Sequence, residues 1–345
     1  PLTATANGVR VDAAALTDRN LTRGVALPGN SAGAPGTVQV RYSGPLTARS
    51  ATLHIQNLPS NPLGGPMRPR LEALGPDGNW TTVAHFRPGT VPSTVSFAPV
   101  TSDSFRVVME RGRRSGNFNF APAPGFDPSG LGSIGSSPAA PPVLAELRLE
   151  SRPKVDAFEL KAGFELTANY HDLDDAADRD APAIDPGTVL DLTSKVTPGG
   201  ELRWDVPPGE WKVLRLGYSL TGKTNSPASQ EATGLEVDKY DADAVERYME
   251  TYLDMYRSIV GDELLGARGL QGLLIDSTEV GPSNWTPGLR QYFRQSRGYD
   301  PTPWLPTLTG EIVGSRAESD GFLYDFRRTL AELAADQHYG TIART

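Results

Sequence analysis

The chain has 345 residues, enough for two domains at the usual roughly 100–200 residues each, and its 36 glycines and 30 prolines favour turns and short strands over long helices. A formal charge of −8, with no run of lysine or arginine, repels phosphate backbones and anionic lipid, so nucleic-acid and membrane-surface partners are disfavoured. Cysteine is absent, which removes disulfides, thiol nucleophiles and zinc–thiolate sites, and no stretch approaches the about 20 continuous apolar residues of a membrane span.

The chain opens on Pro1 without a charged-then-apolar leader, which fits a processed, excised or recombinant segment, so that any export signal would already be lost. From about residue 20 to residue 112 short strands with turn punctuation are expected: 37–42, 51–55, 71–74, 94–97 and 105–109. In each, apolar and polar positions alternate at period two, the mark of half-buried antiparallel strands. Gly75-Pro76-Asp77-Gly78-Asn79-Trp80 reads as a turn between two of them, since proline presets φ and glycine accepts φ > 0. The segment 117–142 is rich in Gly, Ser, Pro and Ala and reads as a mobile loop, after which 143–149 resumes the alternation as a last strand. These strands predict a β-sandwich over residues 1–152, and in general pattern it resembles discoidin or jelly-roll modules of the carbohydrate-binding kind.

A connecting β region is expected over 153–210, with strands at 189–192 and 200–206, followed by one at 211–218. The texture then changes to alternating helix and strand. Asp243-Ala244-Val245-Glu246 has the form of a capping box, and Val245, Tyr248, Met249, Tyr252, Tyr256 and Ile259 share one helical face. Leu273-Leu274-Ile275 is a short apolar run of the buried parallel-strand type. A second helix is expected from Thr286-Pro287 to about Gly298, and a third from about Ser315 with Phe322, Leu323, Phe326, Leu330 and Leu333 facing inward. Strand–helix alternation means a parallel sheet, closed or open.

Gly217-Tyr218-Ser219-Leu220-Thr221-Gly222-Lys223-Thr224 fits the phosphate-loop pattern letter for letter, with Leu273-Leu274-Ile275-Asp276 as a magnesium-binding counterpart, so a nucleotide hydrolase is a rival reading. Its mechanism needs a helix starting at the Lys-Thr pair. The following Asn225-Ser226-Pro227-Ala228-Ser229-Gln230 has no apolar periodicity and reaches Gly234 soon after, which argues against it.

Asp276 and Glu279 follow the apolar run 273–275 directly. At the C-terminal end of a barrel strand, carboxylates carry acid/base chemistry; Asp-x-x-Glu is equally the form of a helix cap. Gly281 and Pro282 break any helix begun at Asp276, so the pair reads as loop carboxylates. Asn284 and Trp285 beside that loop suggest sugar binding, an aromatic face meeting the apolar face of a pyranose while an amide bonds its hydroxyls; a core position is the other reading for the tryptophan. Glu231, Glu236 and Asp238 form a second acidic group, suited to calcium, to sugar hydroxyls or simply to solvent. His54, His85, His171 and His338 have no metal-ligand spacing, and no Gly-x-Ser-x-Gly supports a serine nucleophile.

From Trp204 onward the chain resembles the α-L-rhamnosidases of glycoside hydrolase family 106. The likeness is carried by Val206-Pro207-Pro208-Gly209-Glu210-Trp211, the run Gly217–Asn225, Ala232-Thr233-Gly234-Leu235-Glu236-Val237-Asp238-Lys239, Asp276-Ser277-Thr278-Glu279, Phe293–Asp300 and Phe326–Leu330. The resemblance implies a secreted or periplasmic bacterial enzyme with a (β/α)₈ catalytic barrel beginning at 211–345. It implies calcium-assisted, inverting hydrolysis of terminal α-L-rhamnosides in a rhamnose-containing oligo- or polysaccharide. On this likeness Glu279 is the general acid with Asp276 supporting it, and Asn225, Glu236, Asp238, Asn284 and Trp285 bind substrate. An inverting pair needs a second carboxylate about 6.5–9.5 Å away, expected beyond residue 345. A noncatalytic carbohydrate-binding protein that keeps this fold is the alternative.

Overall fold

The computed structural model describes residues 2–27, 36–58, 67–111, 142–167, 169–173, 181–225, 228–275, 278 and 280–345. The chain divides into two compact units: residues 1–159, 169–183 and 309–316 in the first, and 160–168, 184–308 and 317–345 in the second. Among the described residues no helix is long and apolar enough to cross a membrane.

The first unit is an eight-stranded antiparallel sheet: β1 (Thr3–Ala6), β2 (Val9–Val11), β3 (Val25–Ala26), β4 (Gly36–Gln56), β5 (Met67–Leu74), β6 (Trp80–His85), β7 (Ser93–Arg111) and β8 (Val143–Glu150). The order β2-β1-β4-β7-β5-β6 forms its main path, and β8 pairs with both β4 and β3. Every strand expected between 37 and 149 lies in this sheet, but the pairs 37–42/51–55 and 94–97/105–109 are each one long strand, β4 and β7. The chain runs on through Ser43-Gly44-Pro45 between the first pair. The β4–β7 pairing shifts register between Arg41 and Leu46, where proline has no N–H to give the ladder.

Alternation directs Val38, Val40, Leu53, Leu71, Ala73, Phe105, Val107 and Leu147 into one apolar cluster. On the opposite side of β5, Glu72 faces Arg106 across the ladder and is 5% exposed. Its carboxylate accepts from Arg70 Nε at 2.7 Å and Arg106 Nε at 2.6 Å, and the Arg106 guanidinium lies 4.3 Å from the centre of the Trp80 ring. Burial pushes the Glu72 carboxyl upward, but the bonds and charges of the two arginines outweigh it and hold its pKa below the usual value. The β5–β6 turn forms as expected, with Gly75 N donating to Asn79 O at 2.8 Å and Gly78 at φ +80°. The expected loop 117–142 lies outside the described residues except for Pro142.

Two later segments of the first unit attach to the sheet through buried polar groups. Ala157 N donates to Thr94 O at 2.9 Å, Asp156 accepts from Ser96 N at 2.9 Å, and Arg316 Nη2 donates to Ser96 Oγ at 3.0 Å. Gly310, at φ +81°, leaves room for the Phe158 ring, which a Cβ would meet at 2.6 Å. Glu159 accepts from Thr94 Oγ1 at 2.6 Å and Thr94 N at 3.1 Å, and burial pushes its pKa up from 4.5 to about 7 despite those bonds. The folded state therefore holds this proton more tightly than the unfolded chain does. The stability it contributes is fully present below pH 4.5 and is lost as pH rises to about 7. Comparing melts near pH 5 and pH 8, Glu159→Gln is expected to remove up to ~3 kcal/mol of that pH dependence. Identical slopes in the two proteins would contradict the assignment.

The second unit is built from helices and extended chain. It contains α2 (Ala242–Val260), α3 (Leu289–Arg297), α4 (Arg316–Leu333) but for its first residue, a π-helical segment Ala334–Tyr339 and α5 (Gly340–Arg344); α1 (Phe158–Lys161) bridges the two residue sets. Phe322, Leu323, Phe326, Leu330 and Leu333 are buried as the helical period predicts, and Phe322 meets Phe293 of α3 at 5.7 Å between ring centres. Gly298 closes α3 in the left-handed conformation.

Three expectations for this unit are corrected. The cap of α2 is Asp241, which accepts from Asp243 N at 3.0 Å and Ala244 N at 3.2 Å, so the helix starts before the Asp243–Glu246 box. Two aspartates two residues apart offer two caps, and the first is taken. On the predicted apolar face only Val245 and Met249 are buried, whereas Tyr248, Tyr256 and Ile259 are exposed. The segments 189–192, 200–206, 211–218 and 273–275 are not strands. Apart from the isolated bridge of Leu202 to Val196 they carry no regular pairing, and Leu274 is 97% exposed. A period-two pattern becomes a strand only when a neighbour completes its ladder, and none does so among the described residues.

Candidate active site

The run Gly217–Thr224 leads into a short antiparallel pairing. Thr224 bridges Leu235, Asn225 N donates to Gly234 O at 3.1 Å, and Glu236 N donates to Lys223 O at 3.0 Å. Asn225 Oδ1 accepts from Gly234 N at 2.8 Å and so closes the loop with its own side chain. This geometry agrees with the argument against a phosphate loop: among the described residues Lys223 and Thr224 start no helix, and the helical element that follows is the 3₁₀ turn Gln230–Ala232.

Beyond the pairing, Lys239 Nζ donates to Glu236 Oε2 at 2.7 Å. Asp238 accepts from Tyr240 N at 2.9 Å and from Thr286 Oγ1 at 2.8 Å, and Tyr240 donates its hydroxyl to Ser283 O at 2.8 Å. Asp238 thus holds the 236–241 turn against the start of the α3 region. Burial, with the Asp238 charge adding to it, raises the Tyr240 pKa, so its phenol stays a donor. Asn284 donates to Ala162 O at 3.0 Å and packs over Gly163 at φ +77°, where a Cβ would lie 3.3 Å from the Asn284 Cβ. Trp285 is half-buried and stacks on Tyr218, with ring centres 6.3 Å apart and planes at 30°; Tyr218 is 63% exposed.

The π-helical segment adds groups that sequence reasoning missed. His338 is 7% exposed, and its Nδ1 has no hydrogen-bond partner among the described residues. Burial, then the nearby Lys239 charge, lower its pKa against the opposing pull of Glu236, so the ring is neutral at neutral pH. Its ring meets that of Tyr339 at 4.8 Å between centres, and the Tyr339 hydroxyl lies 3.2 Å from Thr278 Oγ1. The i,i+3 spacing of Glu236 and Lys239 was visible in the sequence, but nothing there marks the π segment that carries His338 and Tyr339. Asp276 and Glu279 lie outside the described residues, as does Ser277 between them.

Of the expected substrate-binding residues, Asn284 and Trp285 are adjacent on one loop, and Asp238 reaches the same loop through Thr286. Asn225 and Glu236 flank the short pairing. Asn225, Asp238 and Asn284 each spend side-chain bonds on the backbone or on a neighbouring side chain; Trp285 and Tyr218 together offer an aromatic surface suited to the apolar face of a sugar. Among the described residues no three His, Asp or Glu side chains converge as metal ligands, and Glu236 is already paired with a cation.

The chain is similar to the solved rhamnosidase from Novosphingobium sp. PP1Y, with 39% identity and a TM-score of 0.84, over 99% of this chain and 30% of that one. It is also 38% identical over 197 residues to a putative beta-glucuronidase of Formosa agariphila, 57% of this chain and 17% of that protein. The chain belongs to the glycoside hydrolase 106 family, alpha-L-rhamnosidase, whose sequence model matches residues 10–345. It spans less than a third of the length of either of these relatives.

Proposed function

We propose that the full polypeptide containing this chain hydrolyses terminal α-L-rhamnosides of a glycan with inversion at the anomeric carbon. The observation that carries this reading is the match of 99% of the chain, at 39% identity, to a rhamnosidase. Glu279 protonates the departing oxygen, and Asp276 supports it. Trp285 with Tyr218 provides the surface for the apolar sugar face, Asn284 holds the loop beside it, and the Asn225, Glu236 and Asp238 segment lines the same region. The general base is a carboxylate outside this chain, about 6.5–9.5 Å from the acid, as inversion requires.

In the same reading the first unit is a sandwich-type carbohydrate-binding module. Residues 211–345 open a (β/α)₈ barrel. The exposed side chains of Val213, Leu216 and Leu274 support this, since such surface is normally covered. The protein works outside the cytoplasm, in the periplasm or medium, where glycans of this kind are met.

Proton NMR of the full polypeptide acting on an aryl α-L-rhamnoside tests the mechanism. β-L-Rhamnose is expected as the first product, equilibrating afterwards. First appearance of the α anomer would reject inversion, and absence of turnover with retained binding would favour a noncatalytic carbohydrate-binding protein.

A further inference from the structure

Residues 223–225 and 234–236 form a short ribbon in which Lys223 and Glu236 stand opposite each other, since Thr224 bridges Leu235 and Glu236 N donates to Lys223 O. The two-residue period puts Asn225 on the same face. A lysine and a carboxylate so opposed ordinarily pair across the ribbon. Here Glu236 is taken instead by Lys239 at 2.7 Å, and Asp238 is turned to Tyr240 N and Thr286 Oγ1. Lys223 is exposed, and its ammonium has no ion-pair or hydrogen-bond partner among the described residues. By contrast, Arg290, Arg294 and Arg297 of α3 each hold a carboxylate. The Lys223 stem is nonetheless placed: a Cβ at Gly281, where φ is +73°, would lie 3.5 Å from its Cε. Earlier in the same run Tyr218 stacks on Trp285. The run therefore touches the 281–285 loop at both ends, and Gly281 and Trp285 are at most about 14 Å of chain apart, the length of a short oligosaccharide.

We propose that Lys223 is a specificity residue that pairs with an anionic group, a uronate carboxylate or a sulfate ester, on the sugar next to the terminal rhamnose. This rests on the reading of Trp285 and Tyr218 as the surface for the rhamnose ring, and it names the substrate class as an acidic glycan. A lysine ammonium meets such an oxyanion as a compact point charge with three rotatable donors, which suits either group. The lysine of the Gly217–Thr224 string thus has an anion to bind without the helix N-terminus that a nucleotide requires. With an overall charge of −8 the chain does not draw an acidic glycan from a distance, so the local cation decides the preference.

The test gives the full polypeptide α-L-rhamnosyl-glucuronates, the rhamnosyl-glucoses of matched linkage and sulfate esters of the latter, with an aryl α-L-rhamnoside as reference. Glucuronate and glucose differ only in a carboxylate for a hydroxymethyl group, so the ratio of their rates isolates the charge. For at least one linkage kcat/KM is expected to be about 10-fold higher for an anionic disaccharide than for its neutral partner, the contribution of one charge-assisted bond. The arm that gains, uronate or sulfate, identifies the anion. Lys223→Met should bring the ratio to within about twofold of unity, while Lys223→Arg should keep at least about a third of it, because the charge remains. Neutral disaccharides cleaved as fast as every anionic partner, or a preference that survives Lys223→Met, would overturn the proposal. Refusal of all the disaccharides while the aryl reference is cleaved overturns it as well, and leaves the rhamnosidase reading standing. If the unmodified polypeptide cleaves neither the reference nor any disaccharide, that reading itself fails and the acidic-glycan assignment falls with it.

Discussion

The full polypeptide carrying Glu279→Gln is expected to hydrolyse alkyl α-L-rhamnosides about 10²–10⁴-fold more slowly than the unmodified protein, the usual contribution of a positioned general acid. Glutamine keeps the size of the side chain and its hydrogen bonding but has no proton to give. The loss should therefore fall on kcat, with substrate affinity nearly unchanged. The basic limb of the kcat/KM profile, which reports deprotonation of the acid in the free enzyme, should flatten in the variant. Steady-state kinetics across pH measures both. A variant that keeps its rate and its basic limb would show that the proton comes from elsewhere, and would remove the chemistry assigned to the loop after residue 275.

Phe105→Ala is expected to destabilise the sheet unit by about 3–5 kcal/mol, the cost of deleting a large ring from a close-packed interior. Phe105 is fully buried on β7, opposite Val40 of β4 and Ala73 of β5, and meets the Tyr42 ring edge-on at 6.4 Å. Neither Val40 nor Ala73 is long enough to fill the space it would leave. Hydrogen exchange of β4, β5 and β7 peptides in the full polypeptide reads the effect locally, and protection there should fall by at least about 10²-fold. A drop of less than about fivefold would mean that the interior relaxes around the hole.

Much of the sheet was legible because both partners of nearly every ladder lie in the same stretch of chain. Alternation at 37–42, 51–55, 105–109 and 143–149 is satisfied by partners within the first unit, even though they are distant in sequence, as Ser50 is from Glu150. The pattern at 211–218 is just as regular, but its ladder depends on a neighbour that the segment itself does not specify. β1 and β2 escaped notice because Thr-Ala-Thr-Ala and Val-Arg-Val are too short and too small to signal a face. Helices α3 and α4 were legible from proline, glycine and the 3.6-residue period, whereas the π segment changes that period without any residue type that announces it. At the candidate site residue types were readable and their commitments were not. Asp238 looks like a free carboxylate in the sequence, yet its oxygens are taken by Tyr240 and Thr286. Trp285 looked equally suited to a core, and its stacking on the exposed Tyr218 ring is a long-range contact that composition cannot report.

The 21 residues of β4 run beside β1 and β7 at one end and beside β7 and β8 at the other. The edge hairpins β1–β2 and β5–β6 are each held by a single ladder, to β4 and to β7, whereas no strand of the central β4, β7 and β8 can leave without breaking the pairing of β4. Loss of order among β4, β7 and β8 should therefore be all-or-none, and a protease that nicks β4 should leave no long-lived half of that centre behind, while the edge hairpins fray separately.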